Sequence, residues 1–286
     1  MKSVHIVERT LPMAWERAVI ACWNEGAPFP TEYDRPGDPN SRDVTALVHV
    51  TEPFAEPRIH RAFPGGLHDL EKYRAEVLYG VHDHWIDPAA GKWEYTYHER
   101  LAAYAVPGRE TIDQLAAAVA KLKEVPYTRR AQGVTWQAWN DVNIDDPPCL
   151  QRLWFRIADD KLHMNVHIRS NDAYKAAFMN MYAFSELQRD LAGQIGVAPG
   201  EYIHCADSFH IYGSYFEEFE GFLKMVGSRA ANERMFTTAR IRDVLLDGCE
   251  ELLAEADVPE QKKQKVRLRK QELLEIAREG PSALLE

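Results

Sequence analysis

Residues 150–169 read Leu-Gln-Arg-Leu-Trp-Phe-Arg-Ile-Ala-Asp-Asp-Lys-Leu-His-Met-Asn-Val-His-Ile-Arg. Two apolar-rich arms, 150–157 and 162–169, flank the turn formers Ala158-Asp159-Asp160-Lys161, so the stretch predicts a β-hairpin. The second arm alternates without a break: His163, Asn165, His167 and Arg169 fall on one face, Met164, Val166 and Ile168 on the other. A period of two places one face on a core and turns four polar side chains away from it. Alternation alone does not say whether those four meet water or line a polar pocket.

Working outward, Asp172 is placed to N-cap a helix running to about Ala192, with Ala173, Ala177, Phe184, Leu187 and Leu191 as its apolar stripe. Asn180 lies inside that stripe, and its amide requires partners from the protein or from a ligand. Residues 201–212 have strand character, and residues 215–226, 230–256 and 259–280 predict helices. Lys262-Lys263-Gln264-Lys265 reads as a solvated face. Upstream, the pattern predicts a helix over 13–24, a turn-rich loop over 29–43, a strand over 44–51 and a helix over 67–79. Leu70, Tyr73, Val77 and Leu78 form the apolar face of that last helix, and Glu76 sits near its end. Residues 93–100 suggest a strand or tight turn, 111–124 a helix capped by its threonine, and 131–140 a strand. Together these elements predict one α+β domain, a mixed or antiparallel sheet packed with helices, with a core over about 1–226 and a helical C-terminal extension over 227–286.

The 286 residues include 34 Lys and Arg against 44 Asp and Glu, a net charge of −10, which argues against a polyanion partner such as nucleic acid held by a general basic field. The apolar runs fall short of a membrane span, and the charged N-terminus does not resemble a signal peptide, so a cytoplasmic protein is expected. Cys22, Cys149, Cys205 and Cys249 are too scattered for a disulfide framework or a zinc ribbon. His82 and His84 lack zinc-site spacing, and no metal is expected. Cys149 follows Asp146-Pro147-Pro148, a rigid turn, with Arg129, Arg130, Arg152 and Arg169 as candidate neighbours that would favour its thiolate. From cysteine and arginine alone, a buried structural thiol is the simpler reading.

Six blocks then carry a resemblance: Tyr127-Thr128-Arg129-Arg130, Asp146-Pro147-Pro148-Cys149, Arg169-Ser170-Asn171-Asp172, Phe178-Met179-Asn180, Pro199-Gly200-Glu201-Tyr202 and His210-Ile211-Tyr212. In this order and spacing, over roughly residues 65–225, the chain resembles thymidylate synthase and the related folate-dependent pyrimidine nucleotide hydroxymethylases. The resemblance implies that Cys149 adds to C6 of a pyrimidine nucleoside monophosphate, turning C5 into a carbon nucleophile toward 5,10-methylenetetrahydrofolate. It implies a homodimer in which Arg129 and Arg130 reach across to the partner's nucleotide phosphate, while Arg169 and Ser170 hold phosphate within the chain. Asn180 is implied to read the pyrimidine edge, Asp172 to bind the pterin, and His210 and Tyr212 to meet the ribose 3′-hydroxyl. Glu76 and Tyr97 resemble the family's proton-handling residues, and one of Arg35 and Arg42 its N-terminal phosphate ligand.

Two positions depart from the synthase pattern. Leu150 stands where synthases have histidine, and Asp146 where they have leucine; both resemble the hydroxymethylases, whose product takes up water instead of hydride. Asn180 instead keeps the synthase's uracil reader where dCMP hydroxymethylases carry aspartate. A hydroxymethylase of dUMP or dCMP, a thymidylate synthase proper, and a catalytically silent nucleotide-binding protein are the three readings this leaves. The charged C-terminus, ending Ser282-Ala283-Leu284-Leu285-Glu286, replaces the family's short aliphatic closing segment.

Overall fold

The computed structural model describes residues 2–277. Its elements are β1 (Ser3–Glu8), α1 (Leu11–Glu25), β2 (Ala27–Phe29), β3 (Ser41–Val50), β4 (Ile59–His60), α2 (Leu67–Tyr79), α3 (Tyr97–Ala102), α4 (Gln114–Glu124), β5 (Gln132–Val134), β6 (Leu150–Ala158), β7 (Lys161–Asp172), α5 (Ala177–Ile195), β8 (Ala198–Ile211), α6 (Phe216–Ser228), α7 (Ala231–Arg234), β9 (Met235–Phe236), α8 (Thr238–Ala254) and α9 (Glu260–Glu275). The main sheet runs β1-β3-β8-β7-β6-β5, with β2 paired to the start of β3. β1 and β3 are parallel, as are β7 and β8, whereas β3–β8, β6–β7 and β5–β6 are antiparallel, giving the mixed sheet expected.

The alternating apolar residues of β7 (Met164, Val166, Ile168) are fully buried, as the hairpin reading requires. α1 and α5 cover that face of the sheet. α5 is buried around most of its circumference, so it is the central helix and not an amphipathic surface one. Trp15 of α1 locks the chain between β7 and α5: its indole N–H donates to the Ala173 carbonyl at 2.8 Å and its ring packs on Tyr174 and Phe178. The turn that carries Asp172 is therefore held from the core side.

Several boundaries differ from the sequence reading. Residues 97–102 form helix α3, because Thr96 accepts the Glu99 N–H at 3.0 Å as an N-cap. Only 132–134 of the expected strand 131–140 pair with β6; beyond them Asp141, ion-paired to Arg100, takes the Gln137 N–H at 2.6 Å and bends the chain away. α4 begins at Gln114 under an Asp113 cap, and Thr111 lies outside it. Asp172 ends β7 and accepts the N–H groups of Tyr174 and Lys175, so it caps a turn, and α5 starts only at Ala177. The helix expected over 230–256 is interrupted at Met235–Phe236, which pairs with β4 before Thr237 caps α8. The C-terminal segment Ser282–Glu286 lies outside the described residues. No helix among the described residues is long and apolar enough to cross a membrane.

Candidate active site

Cys149 sits at the mouth of β6, where the chain leaves Asp145-Asp146-Pro147-Pro148. Arg169, one strand away on β7, holds this turn in place. Its Nε donates to the Pro148 carbonyl at 3.1 Å and its Nη2 to the Pro147 carbonyl at 2.6 Å, while its backbone N–H donates to the Cys149 carbonyl at 2.9 Å. Two prolines remove backbone donors and stiffen the turn, and the guanidinium satisfies the carbonyls they leave exposed.

Burial pushes the Cys149 thiol above its usual range; Arg169 pulls the other way and Asp146 adds to the rise. The expectation that four arginines favour the thiolate is thus corrected. Only Arg169 acts on it, and Arg129, Arg130 and Arg152 are exposed elsewhere on the surface. Since the carboxylate raises the thiol's pKa, Asp146→Asn lowers it and enlarges the thiolate fraction at neutral pH. Iodoacetamide labelling of Cys149 at pH 7, followed by peptide mass spectrometry, is expected to be about threefold faster or more in that variant.

Cys149 opens on two adjoining cavities. The larger, about 920 Å³, is walled by the loop carrying Tyr33 and Arg35 on one side and by Asp146, Arg169 and Ser170 on the other. That loop is pinned where Gly213 meets it: any Cβ there would run into the Pro39 carbonyl. Arg35 lines this cavity. Arg42 instead stacks over Trp23, 4.8 Å from the ring centroid, and packs toward Phe216. The same cavity is lined by six carboxylates (Glu32, Asp34, Asp38, Asp145, Asp146 and Glu218) against three cations (Arg35, Arg169 and Lys175).

The smaller cavity, about 340 Å³, brings Cys149, Ser170, Asp172, Asn180, His210 and Tyr212 together. Asn180 is buried, and its Oδ1 accepts the Tyr73 hydroxyl at 2.6 Å, while Nδ2 has no partner among the described residues. His210 Nδ1 lies 3.0 Å from Ser208 Oγ, whose own proton is donated to Asp43. The other nitrogen, Nε2, is buried without a partner. Burial lowers the pKa of His210 and raises that of Asp172, so the ring is kept neutral beside a reluctant carboxylate. A buried, unpaired imidazole nitrogen in a cavity wall is able to hydrogen-bond a ligand hydroxyl.

A third hollow, about 470 Å³, continues past Asp146 and is walled by Tyr73, Glu76, Trp93, Tyr95 and Tyr97. The Tyr97 hydroxyl accepts the Leu150 N–H at 3.3 Å, immediately beside the cysteine, and burial drives its pKa well up. Glu76 Oε2 lies 3.2 Å from His82 Nδ1. The structure therefore gathers Cys149, Glu76, Tyr97, Arg169, Ser170, Asp172, Asn180, His210 and Tyr212 around one connected hollow. Arg129 and Arg130 are exposed and line none of these cavities. Sequence reasoning missed Tyr73, read as part of an apolar helix face, as well as Tyr33 and Tyr95; a phenol among aliphatic residues, which needs a hydroxyl partner, was the available signal.

Residues 68–247 match the family model described as thymidylate synthase. The chain belongs to the thymidylate synthase family. A Methanosarcina acetivorans protein named "Putative thymidylate synthase" is 30% identical over 211 residues, covering 74% of this chain and 90% of that protein. The Listeria monocytogenes protein named thymidylate synthase is 28% identical over 150 residues, covering 52% of this chain and 47% of its own length. Thermostable thymidylate synthase A from Bacillus subtilis superposes with a TM-score of 0.60 at 18% identity, covering 74% of this family member and 83% of that chain, which is a likeness of fold.

Proposed function

We propose that this thymidylate synthase family member transfers a one-carbon unit to C5 of a pyrimidine nucleoside monophosphate, with dUMP preferred and a 5-hydroxymethyl product. The observation that carries the reading is Cys149 at the junction of a cavity lined by Arg169 and Ser170 and one holding Asn180 and the unpaired His210 nitrogen. Phosphate suits the arginine and serine, the sugar hydroxyl suits His210 Nε2 and Tyr212, and the base lies between Cys149 and Asn180. With Oδ1 engaged by Tyr73, Asn180 offers Nδ2 as a donor, which complements O4 of uracil and opposes the amino group of cytosine.

Cys149 is the nucleophile toward C6, and Arg169 both fixes its turn and favours its thiolate. The proton on C5 is handled by Tyr97 with Glu76 nearby. Bound 5,10-methylenetetrahydrofolate supplies the one-carbon unit. Its pterin fits the aromatic walls of the third hollow (Tyr73, Trp93, Tyr95 and Tyr97), and Asp172, buried at the edge of the base cavity, is placed for the pterin's N–H groups. Asp146, a charged group in the wall of two of the cavities, holds water where the synthases' leucine excludes it, and this favours hydroxymethylation.

The family relatives' names and the uracil-reading Asn180 support a second reading, thymidylate synthase proper. Mass spectrometry of the products from dUMP, dCMP, UMP and CMP with methylenetetrahydrofolate separates the two: a hydroxymethyl product supports the first, and a methyl product with dihydrofolate the second. Binding of dUMP with no product from any of the four nucleotides sinks both and leaves a silent nucleotide-binding protein.

Six carboxylates against three cations make a poor phosphate site in one chain, which supports a homodimer in which Arg129 and Arg130 of the second copy add the missing positive charge. Arg35, which lines the larger cavity, is the N-terminal phosphate ligand in this reading. Arg35→Ala is expected to raise the KM for dUMP about tenfold, ~1.4 kcal/mol, with Arg42→Ala changing it less than about threefold; the reverse order in steady-state kinetics refutes this assignment.

A further inference from the structure

His82 lies just past α2, where the left-handed Gly80 reverses the chain against Asp83 and His98. It is buried, with its ring stacked on Trp85 at 3.8 Å between centroids and 8° between planes, and with Trp93 edge-on at 6.1 Å. Both ring nitrogens meet carboxylates: Nδ1 is 3.2 Å from Glu76 Oε2, and Nε2 is 3.2 Å from Glu255 Oε2. A neutral imidazole has one N–H to donate; two acceptors on opposite nitrogens call for the imidazolium.

Glu255 follows α8 and lies outside residues 68–247 that match the family. It does not act alone. Asp257 accepts from the Trp85 indole N–H at 2.9 Å and contacts His84 Nε2 at 3.1 Å, and Lys262 reaches Asp83 at 3.7 Å. The segment between α8 and α9, with the first turn of α9, thus grips residues 82–85 at several points, and that turn abuts the hollow holding Glu76.

We infer that Glu255 and His82 are positioning residues for Glu76, a carboxylate–imidazolium–carboxylate chain through which the C-terminal helices set the proton-handling end of the active site. The inference rests on the role given to Glu76 above. The geometry resembles that of other catalytic groups, whose reacting side chain is oriented by a second and the second by a third. The charged groups facing His82 are Glu76 from α2 and Glu255 from the end of α8, with Lys72 of α2 beside Glu255. Asp83 is directed to Thr96, His98 and Lys262, and Asp257 to His84 and Trp85. Burial lowers the His82 pKa, but the two carboxylates outweigh it and the net direction is up. Below its raised pKa the ring is charged and the chain is intact; above it one hydrogen bond is lost.

The full chain carries the test, with Glu255→Gln, Glu255→Ala and His82→Gln. Tritium release from 5-tritiated dUMP is expected to fall about 10- to 100-fold in kcat for Glu255→Ala and His82→Gln. Glu255→Gln, which keeps an acceptor, should fall less, while dUMP affinity measured without folate stays within about twofold for all three. The alkaline limb of the kcat profile should move to lower pH in Glu255→Gln. In parallel, the nitrogen-15 titration of His82 should move down in both Glu76→Gln and Glu255→Gln. An unchanged kcat in both Glu255 variants overturns the positioning role, and a His82 titration indifferent to either carboxylate overturns the chain itself. Absence of tritium release from the unaltered protein overturns the functional reading and with it the positioning role, and the histidine titration still decides whether the chain exists.

Discussion

Cys149→Ser is expected to reduce tritium release from 5-tritiated dUMP by on the order of 10³-fold or more, because a serine hydroxyl is a far weaker nucleophile and the cavity wall offers no second thiol. Of the four cysteines, Cys149 alone lines the connected hollow; Cys22 and Cys249 are fully buried, and Cys205 lies on the sheet away from these cavities. Serine is nearly isosteric with cysteine, and the turn is held by Arg169 through the carbonyls of Pro147 and Pro148, so the fold and dUMP binding should survive. Retained release with the variant folded removes the covalent mechanism. The raised thiol pKa adds a pH signature: with the thiolate as the reacting form, activity climbs from neutral into alkaline pH, and Asp146→Asn moves that rise to lower pH.

Glu186→Ala should cost about 3–5 kcal/mol of stability, the largest loss expected from one side chain outside the active site. Glu186 on α5 is fully enclosed and receives Arg58 at 2.5 Å, Arg74 at 3.0 Å and Arg189. Arg74 also pairs with Glu71, which takes Arg269 from α9 at 3.2 Å, so one network joins α2, α5 and α9. Removing the central carboxylate leaves buried guanidinium groups without their counter-charge. Burial drives the Glu186 carboxyl up, but Arg58, Arg189, Arg269 and Arg74 together hold it well below its usual 4.5. The sign of the pH effect follows. A depressed carboxylate contributes its stability in full above the unfolded value and loses it as the pH falls through the folded one. Urea unfolding should therefore show a gap between the unaltered protein and Glu186→Ala that is full from pH 7 down to the unfolded value of about 4.5 and narrows only below it. A neutral result at pH 7 refutes the network's role.

Much of the scaffold was legible before any coordinates. The β6–β7 hairpin and the helix over 67–79 were, because periods of two and of about 3.6 are imposed by one-sided burial and written locally. Other boundaries escaped for reasons that are equally physical. Asp172 offers the acceptor of an N-cap, but its partners, Tyr174 and Lys175, close a turn before α5 begins at Ala177. The helical pattern over 230–256 is real on both sides of Met235–Phe236, yet pairing with β4, some 175 residues earlier in the chain, outweighs local propensity. Tyr73 shares a helix face with Leu70 and Val77 and looks like core; only Asn180, brought opposite from α5, makes its hydroxyl part of the wall of the smaller cavity.

The sequence alone determined the types of group available: one cysteine beside two prolines, an Arg-Ser-Asn-Asp run ending a strand, an amide inside an apolar stripe. It also carried the family, through six blocks in register. Tertiary structure decided which of these meet and in what electrostatic state. It placed Arg35 in the cavity and Arg42 over Trp23, and it allowed only Arg169 to reach Cys149, so that burial and Asp146 raise the thiol where composition suggested the opposite. It also brought Glu255 from the C-terminal helices to a histidine behind Glu76. Propensity and patterning act over a few residues, whereas a pKa or a shared hydrogen bond depends on burial and on a few ångströms between groups far apart in the chain, which the fold alone sets.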